Sequence, residues 1–103
     1  MKEFRTVTTV SDLAGGEMEA FDVGGVSVAV AHVEGDDFYA FGDTCTHNQC
    51  SLAEGDLDDT IVTCPCHGSM FDVTSGEVLS GPAEEPVGSF EVRVQDDEVQ
   101  VAL

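Results

Sequence analysis

All four cysteines and two of the three histidines lie within one short stretch of the chain. One group is Cys45-Thr46-His47, followed by Cys50, and the other is Cys64-Pro65-Cys66-His67. Each group offers one thiolate and one imidazole at Cys-x-His or Cys-x-x-His spacing, and short loops of this kind aim sulfur and nitrogen ligands at one centre. The pattern predicts a metal site with the ligands Cys45, His47, Cys64 and His67.

A structural zinc site is the alternative for such a ligand set. Zinc fingers pair cysteine with cysteine and histidine with histidine, and a helix carries the histidines. Here the two halves are mixed, and Pro65 and Gly68 disfavour a helix around the second half. A non-redox zinc-binding interaction module is therefore the weaker alternative.

The mixed ligand pattern resembles the Rieske proteins, in which two histidines replace two cysteines on one iron of a [2Fe-2S] cluster. The resemblance runs in order through Cys45-Thr46-His47, residues 64–69, Phe71-Asp72, Gly76 and Gly81-Pro82-Ala83. It implies one [2Fe-2S] cluster, with Cys45 and Cys64 on one iron and His47 and His67 on the other. Two thiolates neutralise the oxidised cluster core whereas four would leave it negative, so the reduction potential lies above that of plant-type ferredoxins.

The same resemblance implies roles for residues beside the ligands. In the quinol-oxidising members, a serine and a tyrosine donate hydrogen bonds to the cluster sulfurs, and the matching positions here hold Ser69 and Phe71. One donor is kept and one is lost. We therefore expect a potential below that of the quinol-oxidising group, because donors to the sulfurs stabilise the added electron.

Cys50 and Cys66 are the cysteines left over from the ligand set. The resemblance to the quinol-oxidising members implies a disulfide between them that bridges the two cluster loops. Two reduced, packed thiols are the alternative, which a reducing cytosol favours.

Length and hydropathy limit the organisation of the chain. Its 103 residues suit one domain. The sequence contains neither an apolar run near the ~18 residues of a membrane span nor a signal-peptide core. We expect a soluble, cytoplasmic monomer.

The charge is strongly acidic, at -18, with 21 acidic residues against three basic ones. Nucleic acid and anionic membranes are therefore poor partners, and a basic protein surface is a good one. Solubility alone is the alternative explanation for this charge.

A set of uncharged residues is expected to form a docking tip beside the two histidines. Its members are Asn48, Gln49, Met70, Pro82 and Ala83. A small uncharged patch surrounded by carboxylates suits a transient contact with a redox partner.

Short strands separated by turns predict an all-β protein. We expect strands at 4–10, 18–23, 26–33, 38–41, 61–63, 70–73, 89–94 and 98–102, with hairpins at Gly24-Gly25 and Asp96-Asp97. No convincing helix longer than one turn is predicted. Together with the resemblance, this favours a Rieske-like antiparallel sandwich or barrel at 1–103, with a cluster-binding subdomain at about 43–84 inserted at one end.

The resemblance implies a soluble one-electron carrier that turns over no substrate alone. Its partners would be a flavin-dependent NAD(P)H reductase and the terminal oxygenase of a ring-hydroxylating system for aromatic compounds. The small subunit of a nitrite reductase-like enzyme, which shares the fold, is the alternative.

Overall fold

The computed structural model describes residues 3–33, 37–45, 50–66, 68–81 and 83–102. Within them the chain forms antiparallel strands and two 3-10 turns, at Val10–Asp12 and Leu52–Glu54. The strands are β1 (Phe4–Thr9), β2 (Glu17–Val23), β3 (Val26–Val33), β4 (Asp37–Gly42), β5 (Asp56–Asp58), β6 (Ile61–Thr63), β7 (Met70–Asp72), β8 (Val78–Ser80), β9 (Ser89–Phe90), β10 (Val92–Gln95) and β11 (Glu98–Ala102). The predicted all-β antiparallel fold is confirmed.

The strands form three sheets. The outer sheet has the order β1-β11-β10, the central sheet β2-β3-β4-β9, and the loop-bearing sheet β5-β6-β7-β8. The loop-bearing sheet lies within the 43–84 segment that was expected to hold the cluster-binding subdomain.

Strand β3 is buried on both faces. Successive side chains of a strand point to opposite sides, so β3 contributes to two separate hydrophobic clusters. Val28 and Val30 pack in one hydrophobic cluster with Val99 and Val101 of the outer sheet. Ala29, Ala31 and Val33 pack in a second cluster, which contains Val62 and Phe71 of the loop-bearing sheet as well as Cys45 and Cys64. The central sheet therefore supports the metal-site segment on one face and the outer sheet on the other.

Both predicted hairpins are confirmed. Gly24 and Gly25 have φ values of 60° and 86° and connect β2 to β3, whereas Asp96 and Asp97 have φ values of 52° and 67° and connect β10 to β11. Positive φ at both central residues is the geometry of the two-residue turn that matches the twist of the flanking strands.

The expected strand at 89–94 is confirmed only for residues 92–94, because the chain changes sheets at Glu91. Strand β9 pairs with β4 of the central sheet, and β10 pairs with β11 of the outer sheet. The Glu91 carbonyl accepts the Ala102 N–H at 2.9 Å. Strands β5 and β8 were not predicted; they are three residues each, too short to show an alternating pattern.

Gly76 joins the loop-bearing sheet to the segment that follows residue 83. Its N–H donates to the Asp72 carbonyl and its carbonyl accepts the Val87 N–H, at 2.7 and 2.9 Å. Gly76 has a φ of 82°, and a Cβ there would overlap the Val87 carbonyl oxygen. Gly25 has a similar φ of 86°, but a Cβ there would meet nothing within 4 Å.

These two glycines separate backbone strain from steric overlap. We expect Gly25→Ala to lower the free energy of unfolding by about 1–2 kcal/mol through strain alone. Gly76→Ala should lower it by about 1–3 kcal/mol more, because the Val87 backbone must also move. Urea unfolding followed by circular dichroism measures both. If the free energy of unfolding falls equally in the two variants, the Val87 backbone does not oppose a side chain at position 76.

Candidate metal centre

The first candidate ligand, Cys45, lies just beyond the end of β4. Its N–H donates to the Cys50 carbonyl at 2.8 Å, and Thr44 and Ser51 form an isolated antiparallel bridge. The loop between Cys45 and Cys50 is thus closed at its base by backbone hydrogen bonds, while Cys45 itself is 1% exposed. This closure holds the Cys45 sulfur against the hydrophobic cluster.

Asp43 braces the same loop from inside the protein. Its carboxylate accepts the Ser51 hydroxyl at 2.6 Å and the Ala53 N–H at 2.9 Å. Its own carbonyl accepts the Leu52 N–H at 2.7 Å. Sequence reasoning did not single out Asp43, because the Asp-x-Cys spacing does not show that the carboxylate is buried.

The second candidate ligand, Cys64, follows β6 directly. Its N–H donates to the Ser69 carbonyl at 2.8 Å, and its carbonyl accepts the Gly68 N–H at 3.2 Å. Gly68 has a φ of 78°, a backbone conformation that glycine adopts without strain. Cys64 is 2% exposed, so both candidate thiols are buried in two similarly closed loops.

Cys50 and Cys66 are joined by a disulfide, with their Cα atoms 6.4 Å apart. Cys66 is exposed and Cys50 is partly buried. Cys45 and Cys64 are free cysteines. The bond therefore links the outer parts of the two loops, while the buried thiols remain available as ligands.

Ser69 connects the second loop to the segment around Ala83. It is completely buried, and its hydroxyl oxygen accepts the Ala83 N–H at 3.0 Å. No acceptor for the Ser69 hydroxyl proton is present among the described residues. Because buried hydroxyl groups normally donate as well as accept, this proton calls for an acceptor outside the described protein atoms.

The expected docking tip is only partly described. Met70 is 39% exposed, which suits a surface contact, but Ala83 is 3% exposed and therefore does not belong to the tip. Its methyl group packs in the hydrophobic cluster and its N–H binds Ser69. Leu79 on β8 is also exposed, at 49%, which the sequence does not show because nothing in it separates this residue from a core leucine.

Five predicted site residues lie outside the described residues. They are the candidate ligands His47 and His67 and the tip residues Asn48, Gln49 and Pro82. Among the residues that are described, no three metal-ligating side chains come together. Of the predicted ligands, the described part of the site contains the two buried thiols.

Residues 3–91 match the family model of the Rieske [2Fe-2S] domain. The chain belongs to this family. Ferredoxin CarAc of Metapseudomonas resinovorans is 45% identical over 93% of this chain and 90% of its own length. The ferredoxin component of biphenyl 2,3-dioxygenase from Rhodococcus jostii (strain RHA1) is 38% identical over 94% of this chain and 90% of its own length.

A solved structure agrees with these sequence matches. The complex of reduced oxygenase and oxidised ferredoxin in carbazole 1,9a-dioxygenase contains a chain that superposes with a TM-score of 0.88 at 44% identity. The match covers 94% of this chain and 99% of that one.

This Rieske protein carries one [2Fe-2S] cluster, and its described residues fit such a group. Two free thiols lie in a water-excluded cluster of apolar side chains, where a thiolate is costly unless it binds a metal. Ser69, whose carbonyl accepts the Cys64 N–H, is buried and has a hydroxyl proton to donate. The zinc-binding alternative loses its support, because the matched family binds iron and sulfide.

Phe71 is completely buried within the hydrophobic cluster that contains both free cysteines. Its side chain packs there and has no hydroxyl group that could donate a hydrogen bond. The expectation of a lower potential stays a prediction. In the described part of the chain, no helix has the length and apolar character needed to cross a membrane.

The disulfide predicts a definite number of alkylated thiols. When the protein is unfolded anaerobically in chelator and iodoacetamide without reductant, we expect two labels, on Cys45 and Cys64. Prior reduction should give four, and Cys50→Ser without reductant should give three, because Cys66 is released. Intact-mass spectrometry counts the labels. Four labels on the unreduced parent would show that Cys50 and Cys66 are thiols in solution.

Proposed function

We propose that this Rieske protein is the ferredoxin of a ring-hydroxylating dioxygenase system. It passes single electrons from a flavin-dependent NAD(P)H reductase to a terminal oxygenase and turns over no substrate alone. The observation that carries this proposal is the match over nine-tenths of the length of two ferredoxins, one of them a named dioxygenase component. Neither relative supports the alternative of a nitrite reductase small subunit.

The proposed ligands are Cys45 and Cys64 on one iron and His47 and His67 on the other. When bound, a [2Fe-2S] cluster supplies a one-electron couple, and two thiolates with two neutral imidazoles make the oxidised site neutral. The chain buries both sulfur ligands, which excludes water from them. Ser69, held by the Ala83 N–H, is proposed to donate its free proton toward the cluster sulfurs.

The proposed partner surface combines Met70 with the residues expected at the tip. Residues 43–84 contain no lysine or arginine, so the carboxylates around the tip are not neutralised from within this segment. A partner with basic residues around its cofactor is favoured, because opposite fields raise the encounter rate and allow rapid release. We also propose that the protein is a monomer located in the cytoplasm.

The ligand assignment predicts the effect of removing each histidine. His47→Ala and His67→Ala should each abolish the Rieske electron-spin-resonance signal, since neither cluster loop contains another histidine. His32→Gln is the control: His32 lies on β3 and its Nδ1 hydrogen-bonds to the Leu13 carbonyl, outside both loops. A normal signal in either alanine variant would refute the assignment of that histidine.

Electron transfer to an oxygenase tests the function itself. Stopped-flow mixing of the chemically reduced protein with the oxygenase component of a carbazole or biphenyl dioxygenase should oxidise it, with product formed when substrate and oxygen are present. Each oxygenase's own ferredoxin is the positive control. If both oxygenases oxidise their own ferredoxin but neither oxidises this protein, the proposal is contradicted.

The same assay tests the surface with two matched variants. Met70→Glu should slow oxidation about tenfold, which corresponds to ~1.4 kcal/mol of lost docking free energy, and should leave the midpoint potential near that of the parent. Val94→Glu makes the same change at a residue 47% exposed on the outer sheet and should have little effect. Equal slowing in the two variants would indicate a general effect of charge.

A further inference from the structure

Asp43 is a buried carboxylate to which the proposed function assigns no role. It is 5% exposed and lies two residues before Cys45. Buried acidic residues are uncommon unless they are paired with a cation or a metal. Among the described residues no ion pair joins Asp43 to a basic side chain: Arg5 pairs with Glu3 at the surface, and Arg93 lies over the Phe4 ring.

The hydrogen bonds of Asp43 come from neutral donors. The Ser51 hydroxyl donates to one carboxylate oxygen at 2.6 Å, and the Ala53 N–H donates to the other at 2.9 Å. A carboxylate that accepts at both oxygens suits the ionised form, which is acceptor-only. Within the part of the chain that the structure describes, the negative charge is held by these dipoles and is not neutralised by a cation.

The segment that Asp43 braces also lies against the second loop. Beyond Ala53, the Gly55 N–H donates to the Leu52 carbonyl at 3.0 Å. A Cβ at Gly55 would overlap the Thr63 carbonyl oxygen, one residue before Cys64. Asp43 therefore fixes the Leu52–Glu54 turn that follows the first loop, next to the place where Gly55 contacts the strand leading to the second thiol.

We propose that Asp43 is a positioning residue that also lowers the reduction potential of the cluster. Its two hydrogen bonds hold the Cys45 loop, and its charge opposes the arrival of an electron at the neighbouring site. A buried charge acts more strongly than the many surface carboxylates, because solvent and salt screen it less. The proposal rests on the proposed ligation of the cluster by Cys45.

Two variants separate the charge from the brace. Asp43→Asn keeps both hydrogen bonds, since its amide oxygen accepts the Ala53 N–H and its amide nitrogen donates to the Ser51 oxygen, but the charge is lost. Ser51→Ala keeps the charge and removes the donor that partly offsets it. The midpoint potential should rise in Asp43→Asn and fall in Ser51→Ala. At the midpoint potential of the parent, more than half of the Asp43→Asn protein and less than half of the Ser51→Ala protein should therefore be reduced.

Asp72→Asn is the matched control. Asp72 also accepts one backbone N–H and one hydroxyl, both from Thr74, at 2.9 and 2.6 Å, but these bonds lie at an exposed turn. Its midpoint should move less than that of Asp43→Asn. Spectroelectrochemical titration at one pH measures all four proteins, and the Rieske signal of each variant shows that its cluster is intact.

An unchanged midpoint in Asp43→Asn, or an equal shift in Asp72→Asn, would overturn the proposal. Shifts of the same sign in Asp43→Asn and Ser51→Ala would also overturn it, because they would indicate a loosened loop. If Asp43→Asn does not hold a cluster, Ser51→Ala decides: a lower midpoint supports the proposal and an equal or higher one refutes it. If the parent protein shows no Rieske signal, the proposed ligation of the cluster is overturned instead. The midpoint potentials are measured without an oxygenase. Failure of electron transfer to an oxygenase is therefore a separate result that leaves this proposal untouched.

Discussion

The positions of Cys45 and Cys64 depend on two short backbone hydrogen bonds, each closing a loop directly after its cysteine. The Cys45 N–H donates to the Cys50 carbonyl and the Cys64 N–H to the Ser69 carbonyl, both at 2.8 Å. Irregular loops must satisfy their own backbone polar groups when they are buried. These two bonds satisfy the N–H groups of the two buried cysteines, whose side chains belong to the apolar cluster, and the disulfide links Cys50 of one loop to Cys66 of the other.

The loops keep this geometry because they project from a scaffold that is packed on both faces. Alternate residues of β3 contribute to two separate hydrophobic clusters, one shared with the outer sheet and one with the cysteines. A site supported by sheets is held more firmly than a site on free loops. For an electron carrier, a rigid site limits the rearrangement that accompanies each change of charge.

The lysine and arginine residues all lie outside the segment that holds the candidate site. The described arginines, Arg5 and Arg93, belong to the outer sheet, where Arg93 lies over the Phe4 ring at 4.1 Å. Residues 43–84 contain only acidic charged residues apart from histidine. The segment that holds the candidate site therefore has no lysine or arginine to repel a basic partner, and the buried Asp43 places one of its negative charges inside the protein.

The sequence by itself determined the family resemblance, the all-β class and both hairpins, and it predicts the ligand set. These features depend on local chemistry: the spacing of Cys45, His47, Cys64 and His67, and residues that accept positive φ at Gly24-Gly25 and Asp96-Asp97. Only the tertiary structure decided that residues 89–94 divide between two sheets, that Ala83 is buried and that Asp43 is an internal brace. Each of these depends on contacts between segments far apart in sequence, such as Ala83 with Ser69 and Glu91 with Ala102, and burial by a distant segment leaves no periodic pattern in the chain.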